Sequence, residues 1–350
     1  MNILYGVPGE GMGHATRSKV VIEHLLKQHN VQVVSSARAF QFLNEAFPGC
    51  VHEIKGFHFA YKNAQVSKTG TFLLNLKRAP RNLLFNFTEY LHIHKSFKPD
   101  LVISDFESFS LLYAKQHRLP LISIDNMQVM DRYTLDIEIP REERKNYTLA
   151  KGIVKAKVPG AEHYFITSFF DAPLRKKKAS IVPPIVREAI INAKPIKGNH
   201  ILMYQTSSTL TSVKEILHKI PDITFYVYGF NKDEKSGNVI FKAFSEDGFV
   251  KDLANAKAVI ANGGFSFISE AVYLQKPVYS FPLKNQFEQF VNASYIDKLG
   301  YGRHFEDLTA DNLKSFLYDL EVFEKNLSAY KQSGNEILFK TLDEKIKKDA

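Results

Sequence analysis

The chain has 350 residues, of which 45% are hydrophobic and 24% charged, ordinary globular values that exclude disordered and fibrous classes and predict about two domains. Its net charge of +9 predicts an anionic partner, which could be nucleic acid, an acidic lipid or a phosphorylated small molecule. A single cysteine, no signal-peptide pattern and no long apolar run predict a cytoplasmic protein that does not span a bilayer.

The first predicted elements are a buried strand, a glycine-rich turn and a helix. In the opening "MNILYGVPGEGMGHATRSKVVIEHLL", an apolar run precedes the turn, and apolar residues recur at helical spacing after it. Gly9, Gly11 and Gly13 permit tight backbone angles, and the start of the following helix offers unpaired N–H groups to an anion. The turn is therefore predicted to frame a ligand in a cleft.

This turn lacks the features of the common nucleotide cofactors. A dinucleotide fingerprint needs a third glycine where this chain has His14, and "VQVVSSARAF" lacks the acidic residue that holds a ribose. The P-loop lysine and hydroxyl are absent too, so NAD and NTP hydrolysis are disfavoured, although Arg38 leaves a 2′-phosphate cofactor open. His14 is instead a candidate general base, because imidazole titrates near neutral pH; capping the loop or binding phosphate are its alternatives.

Two carboxylates follow a later strand, in "DLVISDFES". Because ligands bind at the carboxyl ends of parallel strands, Asp105 and Glu107 are predicted to orient His14 or to act as the base themselves. Capping the following helix is the alternative for both. Upstream, "FLLNLKRAPRNLLF" mixes basic and apolar residues, which suits either an anionic membrane surface or an ordinary amphipathic helix on the core.

Strands and helices alternate in two series, which favours parallel sheets. Strand candidates of the first series are "NILYGV", "VQVVSS", "DLVISD" and "LPLISI"; those of the second include "HILMYQ", "DITFYVYG", "AKAVIANGG" and "KPVYSFP". A segment with four prolines and the charge run "RKKK" separates the series, as expected of an interdomain connection. We therefore predict one domain over 1–190 and another over 197–350, with the last helix packing back on the first domain.

The second series contains another glycine turn before a helix, in "VIANGGFSFISE". Its glycines let a diphosphate approach the backbone, its serine hydroxyl can donate to that group, and a glutamate one turn later can accept from both ribose hydroxyls. After the next strand, "EQFVNA" supplies a carboxylate and an amide suited to sugar hydroxyls. The predicted donor-binding residues are Gly263, Gly264, Ser266, Glu270, Glu288 and Gln289.

These segments together resemble the GT-B glycosyltransferases. The second cassette is similar to the donor region of plant and microbial UDP-sugar transferases and of the bacterial peptidoglycan N-acetylglucosaminyltransferase. The first turn with "PDLVISDFES" resembles bacterial and archaeal glycosyltransferases labelled teichoic acid biosynthesis-like. The resemblance implies an α/β GT-B fold, in which two Rossmann-like domains with parallel sheets face a central cleft.

The resemblance also implies further roles. Backbone groups near Phe249 and Val250 edge the base, and Ser207 and Ser208 contact phosphates, because this chain lacks the tryptophan and the histidine that plant members place around the glycine pair. The implied activity is an inverting transfer of a sugar from a UDP-linked donor to a hydroxyl acceptor, either a lipid-linked or a cell-surface glycan. No cofactor is expected.

Several alternatives stay open. The same fold carries sugar-nucleotide 2-epimerases, and a non-catalytic nucleotide-sugar sensor would use the same cassette. The order acid, any residue, acid after a strand resembles the metal site of GT-A transferases, but a second glycine cradle makes a metal unnecessary, so we expect none. Nucleic acid is not predicted as a partner, because basic residues are not interleaved with aromatic ones on a strand platform. We expect a cytoplasmic enzyme with peripheral contact to the inner face of an anionic membrane.

Overall fold

The computed structural model describes residues 1–9, 11–56, 61–62, 65–66, 82, 84–205 and 212–349. The strands of its first half are β1 (Asn2–Gly6), β2 (Asn30–Ser35), β3 (Val51–Glu53), β4 (Tyr61–Lys62), β5 (Gln65–Val66), β6 (Leu101–Ser104), β7 (Leu121–Asp125), β8 (His163–Thr167) and β9 (Ala179–Val182). The helices of this half are α1 (Met12–Leu25), α2 (Ala37–Ala46), α3 (84–96), α4 (Ser108–His117), α5 (Val129–Arg132) and α6 (Arg144–Lys157).

The second half begins with the short helix α7 (Glu188–Ile191). Its strands are β10 (His200–Tyr204), β11 (Thr224–Tyr228), β12 (Glu234–Ser236), β13 (Val239–Phe241), β14 (Ala258–Ala261), β15 (Val278–Ser280) and β16 (Gly302–His304). Its other helices are α8 (Val213–His218), α9 (Glu246–Ala254), α10 (Phe265–Tyr273), α11 (Phe287–Lys298), α12 (Ala310–Tyr318), α13 (Leu320–Leu327) and α14 (Glu336–Asp349).

Two parallel sheets organise the described chain. One has the strand order β3-β2-β1-β6-β7-β8-β9, and the other has β12-β13-β11-β10-β14-β15-β16, in which only β12 pairs antiparallel. The central strands are apolar throughout: Ile3, Leu4 and Tyr5 of β1 are buried, as strands covered on both faces by helices must be. The predicted α/β architecture with two Rossmann-like sheets is therefore confirmed.

Each sheet changes its direction of winding at one central strand. β1 lies between β2 and β6, and β10 lies between β11 and β14. The connections leave such a strand toward opposite sides, which opens a crevice at its carboxyl end where α/β proteins bind ligands. The first glycine turn follows β1 and the second follows β14, so both turns stand at these crevices.

The last helix, α14, packs on the first sheet. Leu338, Leu342 and Ile346 join the buried cluster that contains Val21 and Ile22 of α1. His24 of α1 stacks on Phe339 with ring centroids 4.0 Å apart, and its Nε2 lies 2.9 Å from Asp343 Oδ1. The chain thus begins and ends on the same sheet.

Aromatic and polar contacts also join the first half of the chain to α11 of the second half. Phe170 stacks on Tyr295 of α11 with ring centroids 3.5 Å apart. The Tyr295 hydroxyl donates to Asp136 Oδ1 at 2.6 Å, and Lys298 forms an ion pair with the same carboxylate.

Among the described residues, no helix is long and apolar enough to cross a membrane.

The packing of α14 predicts a stability effect that two residues of this helix separate. Leu342 is 0% exposed and Ile337 is 53% exposed. Leu342→Ala should lower the free energy of unfolding by about 2–5 kcal/mol, because it leaves a cavity between α14 and α1. Ile337→Ala should change it by no more than about 0.5 kcal/mol. Urea denaturation of both variants checks this, and equal small effects would contradict the packing of α14 on the first sheet.

Candidate functional site

The two glycine turns meet. Ser266, in the first turn of α10, donates from its hydroxyl to the Gly13 carbonyl oxygen at 3.4 Å. A Cβ added to Gly13 would lie only 2.7 Å from Ser266 Oγ, so this close approach requires a glycine or a shifted serine. The starts of α1 and α10 therefore face one cleft between the sheets.

Both helices begin without a side-chain cap. Gly11 precedes α1 with φ 88°, Gly264 precedes α10, and neither first turn contains an acidic residue. Apart from its chain neighbours, no heavy atom lies within 4 Å of a Cβ added to Gly264, whereas a Cβ added to Gly263, which has φ 98°, would lie 2.7 Å from the Gln289 carbonyl oxygen. Gly263 therefore shapes the turn, and the backbone at Gly264 is open to a ligand. Uncapped helix starts of this kind favour an anion.

The polar centre of the cleft consists of His14, Arg17 and Asp105. Asp105, directly after β6, is buried and accepts from Arg17 Nε at 2.8 Å and Arg17 Nη2 at 2.5 Å. His14 Nδ1 lies 3.0 Å from Asp105 Oδ1 and 2.8 Å from Arg17 Nη2. The Ser18 hydroxyl donates to Asp105 Oδ2 at 3.0 Å. His14 retains 20% exposure, so its ring is the part of this centre that a ligand reaches.

Arg17 decides the charge of Asp105. Burial opposes ionisation of this carboxyl, but the charge of Arg17 and then the contact with His14 outweigh burial and hold its pKa well below the usual range. Asp105 is thus a carboxylate at neutral pH. Asp105 thus lies beside His14, and its predicted role as the orienting group or the base stays a prediction. Arg17 is the partner that the sequence did not indicate.

Two further residues extend this centre across the cleft. Arg17 Nη1 donates to Asn126 Oδ1 at 2.7 Å, and Asn126 Nδ2 donates to Glu288 Oε1 at 2.7 Å. Asn126 directly follows β7, and Glu288 lies in the first turn of α11. The only sequence signals were that Arg17 follows His14 by three residues, which places both on one helix face, and that Asn126 follows a strand.

The sequence left three roles open for Glu107: orienting His14, acting as the base, or capping a helix. The structure shows the capping contacts. Its carboxylate accepts from the Phe109 N–H and the Ser110 N–H, both at 2.7 Å, at the start of α4. With each oxygen bound to a backbone N–H, this side chain is a helix cap and not the base.

In the first glycine turn, Gly9 is required for packing, because a Cβ there would lie 2.1 Å from Ser36 Oγ.

Glu270 is tied to an arginine that the sequence did not single out. Arg187 Nε donates to Glu270 Oε1 at 2.6 Å, and Arg187 Nη2 donates to Oε2 at 2.8 Å. Arg187 Nη1 also donates to Glu246 Oε1 at 2.8 Å. The predicted ribose-binding carboxylate is therefore held in a two-point ion pair.

The other predicted donor residues have mixed positions. Gln289 Oε1 accepts from the Leu283 N–H at 2.9 Å, next to the second glycine turn. Phe249 and Val250 are buried inside α9, and the Phe249 N–H donates to the Ser245 carbonyl oxygen. The resemblance implied that backbone groups here edge the base, but the Phe249 N–H is already bonded within the helix. Phe244, just before α9, is an exposed aromatic ring near this position. Ser207, Ser208 and most of the basic apolar stretch lie outside the described residues.

Several buried polar atoms without a hydrogen-bond partner lie at the carboxyl ends of strands. Within the described ranges they include side-chain oxygens at the carboxyl ends of two strands of the first sheet and three of the second: Ser35, Thr167, Gln205, Asn262 and Ser280. Buried polar atoms are rarely left unpaired unless water or a ligand completes them. The part of the chain that the structure describes has no group of three metal-ligating side chains suited to a metal ion.

Asp125 is a second buried carboxyl near this centre. It ends β7, and it accepts from the Ser123 hydroxyl at 2.7 Å and from the Gln128 N–H at 2.8 Å. Burial raises the pKa of Asp125 to about 6; the negative charge of Asp105 adds to this effect, and the Ser123 hydrogen bond opposes it. Asp125 therefore changes charge within a pH range in which Asp105 stays ionised.

Comparison with known proteins gives consistent matches. The model of the family described as glycosyl transferase family 1 matches residues 1–321. An uncharacterized glycosyltransferase of Methanosarcina acetivorans is 25% identical over 330 residues, covering 87% of this chain and 85% of that protein.

Solved structures share the fold. UGT2 of Phytolacca americana, complexed with UDP-2-fluoroglucose and pterostilbene, superposes with a TM-score of 0.67 at 12% identity and 97% coverage of both chains. The spinosyn rhamnosyltransferase SpnG, complexed with thymidine diphosphate, does so with a TM-score of 0.64 at 13% identity, covering 98% of this chain and all of that one. The fold is therefore that of the GT-B glycosyltransferases.

The raised pKa of Asp125 predicts a pH dependence of stability. In an unfolded chain the pKa of an aspartate is about 3.9. Between this value and about 6, Asp125 is therefore ionised in the unfolded protein but keeps its proton in the folded one. The wild type should therefore lose about 2 kcal/mol of stability as the pH rises from 4 to 7, whereas Asp125→Asn should not show this loss. Denaturation of both proteins across this range measures the difference, and a constant difference would contradict the raised pKa of the buried Asp125.

Proposed function

The chain belongs to glycosyl transferase family 1, and on that premise we propose that it transfers a sugar from a UDP-linked donor to a hydroxyl group of an acceptor. The observation that carries the proposal is the contact between Ser266 and Gly13. It brings the uncapped start of α10, which suits a diphosphate, to the helix that carries His14.

His14 is the proposed base. In this assignment, Nδ1–H donates to Asp105 and Nε2 has a free lone pair, because an ionised carboxylate is a strong acceptor. Nε2 takes the proton of the acceptor hydroxyl while that oxygen bonds to the anomeric carbon. The bond from this carbon to the diphosphate breaks, and its electron pair leaves with the diphosphate. Attack opposite the leaving group inverts the anomeric centre.

The leaving diphosphate is proposed to bind at the second glycine turn. The N–H groups at the start of α10, the open backbone of Gly264 and the Ser266 hydroxyl supply donors there, and the helix dipole favours negative charge. The unpaired polar atoms at Gln205, Asn262 and Ser280 support a polar ligand at this edge of the second sheet. These donors stabilise the leaving group without a metal ion.

Glu270 is proposed to accept from the ribose, and Glu288 with Gln289 to contact the donor sugar. Glu288 is also the end of the path through Asn126 to Arg17. A sugar hydroxyl that donates to Glu288 would therefore stand within the same hydrogen-bonded group as the base. This arrangement supports reading the sugar and activating the acceptor in one closed cleft.

The acceptor is proposed to be lipid-linked or a cell-surface glycan, with the enzyme at the inner face of the cytoplasmic membrane. The support within the described residues is the outer face of α6. Leu149 and Ile153 are exposed there and line a shallow concavity together with Arg144 and Lys145. Apolar residues flanked by cations suit an anionic bilayer surface.

Nucleotide binding tests the donor assignment. A thermal-shift panel of UDP, GDP, dTDP, CMP and NADP should show stabilisation by UDP, because a ligand at about 100 times its Kd adds about 2.7 kcal/mol. Glu270→Ala should lose this shift. Glu324→Ala removes a carboxylate that pairs with Lys197 and is not part of the proposed donor site, so it should keep the shift. A shift by NADP alone, or by no nucleotide, would contradict the proposal.

Substitution of His14 tests the base. His14→Ala should lower kcat by about 10²–10⁴-fold and leave the Kd for UDP unchanged, because the ring acts on the acceptor and not on the nucleotide. His218→Ala is the matched control, since His218 contacts the Ser236 carbonyl oxygen. Retention of kcat by His14→Ala would remove His14 from the chemistry. Conversion of the donor without an acceptor would identify a 2-epimerase instead.

A further inference from the structure

Arg187 stands at an unusual place for an ion pair. It lies in the connection between the two sheets, directly before α7, and it reaches the two helices that follow β13 and β14. Two of its nitrogens engage the two oxygens of Glu270 in α10, and the third donates to Glu246 in α9. The Arg187 and Glu270 side chains are only 16% and 9% exposed.

We propose that Arg187 is a positioning residue: it fixes the Glu270 carboxylate, and so sets how strongly the site prefers a ribonucleotide over its 2′-deoxy form. This inference rests on the proposed function. It adds Arg187, a residue that the resemblance did not supply.

The chemistry of the pair carries the selectivity. A guanidinium that bonds both oxygens of a carboxylate fixes its plane and uses one lone pair on each oxygen. One lone pair per oxygen remains, which matches the two neighbouring hydroxyls of a ribose. A 2′-deoxyribose supplies only one of these donors, and the unused acceptor of Glu270 is then left in a site largely closed to water.

Glu270 lies in α10, the helix that follows the second glycine turn. This helix begins after β14, which pairs with β10, the strand between β11 and β14 in the second sheet. A buried ion pair is poor evidence for stabilisation by itself, because its desolvation offsets much of the attraction. Its position at the ligand edge gives it a use in binding.

Calorimetric titration with UDP, GDP and ADP, each against its 2′-deoxy counterpart, tests the inference on the full chain. The wild type should bind the preferred ribonucleotide about 10- to 100-fold more tightly than its 2′-deoxy form. Arg187→Gln should weaken the ribonucleotide and reduce this ratio below about threefold, because the carboxylate plane is no longer fixed. Arg187→Lys keeps the charge without the fork and should give an intermediate ratio.

Lys197→Gln is the matched control, since it removes an exposed ion pair with Glu324 from the same connection and should keep the wild-type ratio. The inference would be overturned if Arg187→Gln weakened the ribonucleotide and its 2′-deoxy form by the same factor. It would also be overturned if the wild type bound UDP and 2′-deoxy-UDP with equal affinity. If Arg187→Gln does not fold, Arg187→Lys decides in the same way. Loss of the ratio in Glu270→Gln but not in the Arg187 variants would overturn the role of Arg187 and leave the donor site standing. Failure of every nucleotide to bind the wild type would overturn the proposed function and this inference together.

Discussion

The ion pair between Arg17 and Asp105 is the interaction on which the cleft depends. Asp105 is buried at the end of β6, and a carboxylate in such a place is retained only when a charged partner and hydrogen bonds replace its water. Arg17 supplies that charge from α1, which fixes the helix carrying His14 against the neighbouring strand. The orientation of His14 thus follows from the need to pair one buried charge.

The same arginine links the two halves of the molecule. Through Asn126 it reaches Glu288, while Ser266 contacts Gly13 beside it. Each sheet carries buried polar atoms without partners at the carboxyl ends of its strands. A ligand that completes these atoms would contact both sheets at once, which suits a reaction that joins a donor to an acceptor and excludes water.

Local patterns in the sequence predicted the parts of this structure that are local. Apolar strand runs and the glycine turns predicted the two parallel sheets and the helix starts at the cleft, because strand burial and uncapped helix N-termini are properties of adjacent residues. Arg17, Asn126 and Arg187 were not predicted as site residues, because their partners lie 88, 162 and 83 positions away. Glu107 shows the converse: a capping carboxylate and a catalytic one look alike in sequence, and only the bonds to Phe109 and Ser110 separate them.

The proposed chemistry requires Asp105 to hold His14 with a free Nε2 lone pair toward the cleft. His14 Nδ1 contacts both Asp105 Oδ1 and Arg17 Nη2, so donation to Asp105 and acceptance from Arg17 give opposite tautomers and opposite chemistry. Nitrogen-15 NMR of the histidine rings, with His14→Gln to assign the signal, measures the tautomer directly. If Asp105 accepts from His14, Nδ1 carries a proton and Nε2 carries none at neutral pH. A proton on Nε2, with Nδ1 accepting from Arg17, would contradict the role of His14 as the base.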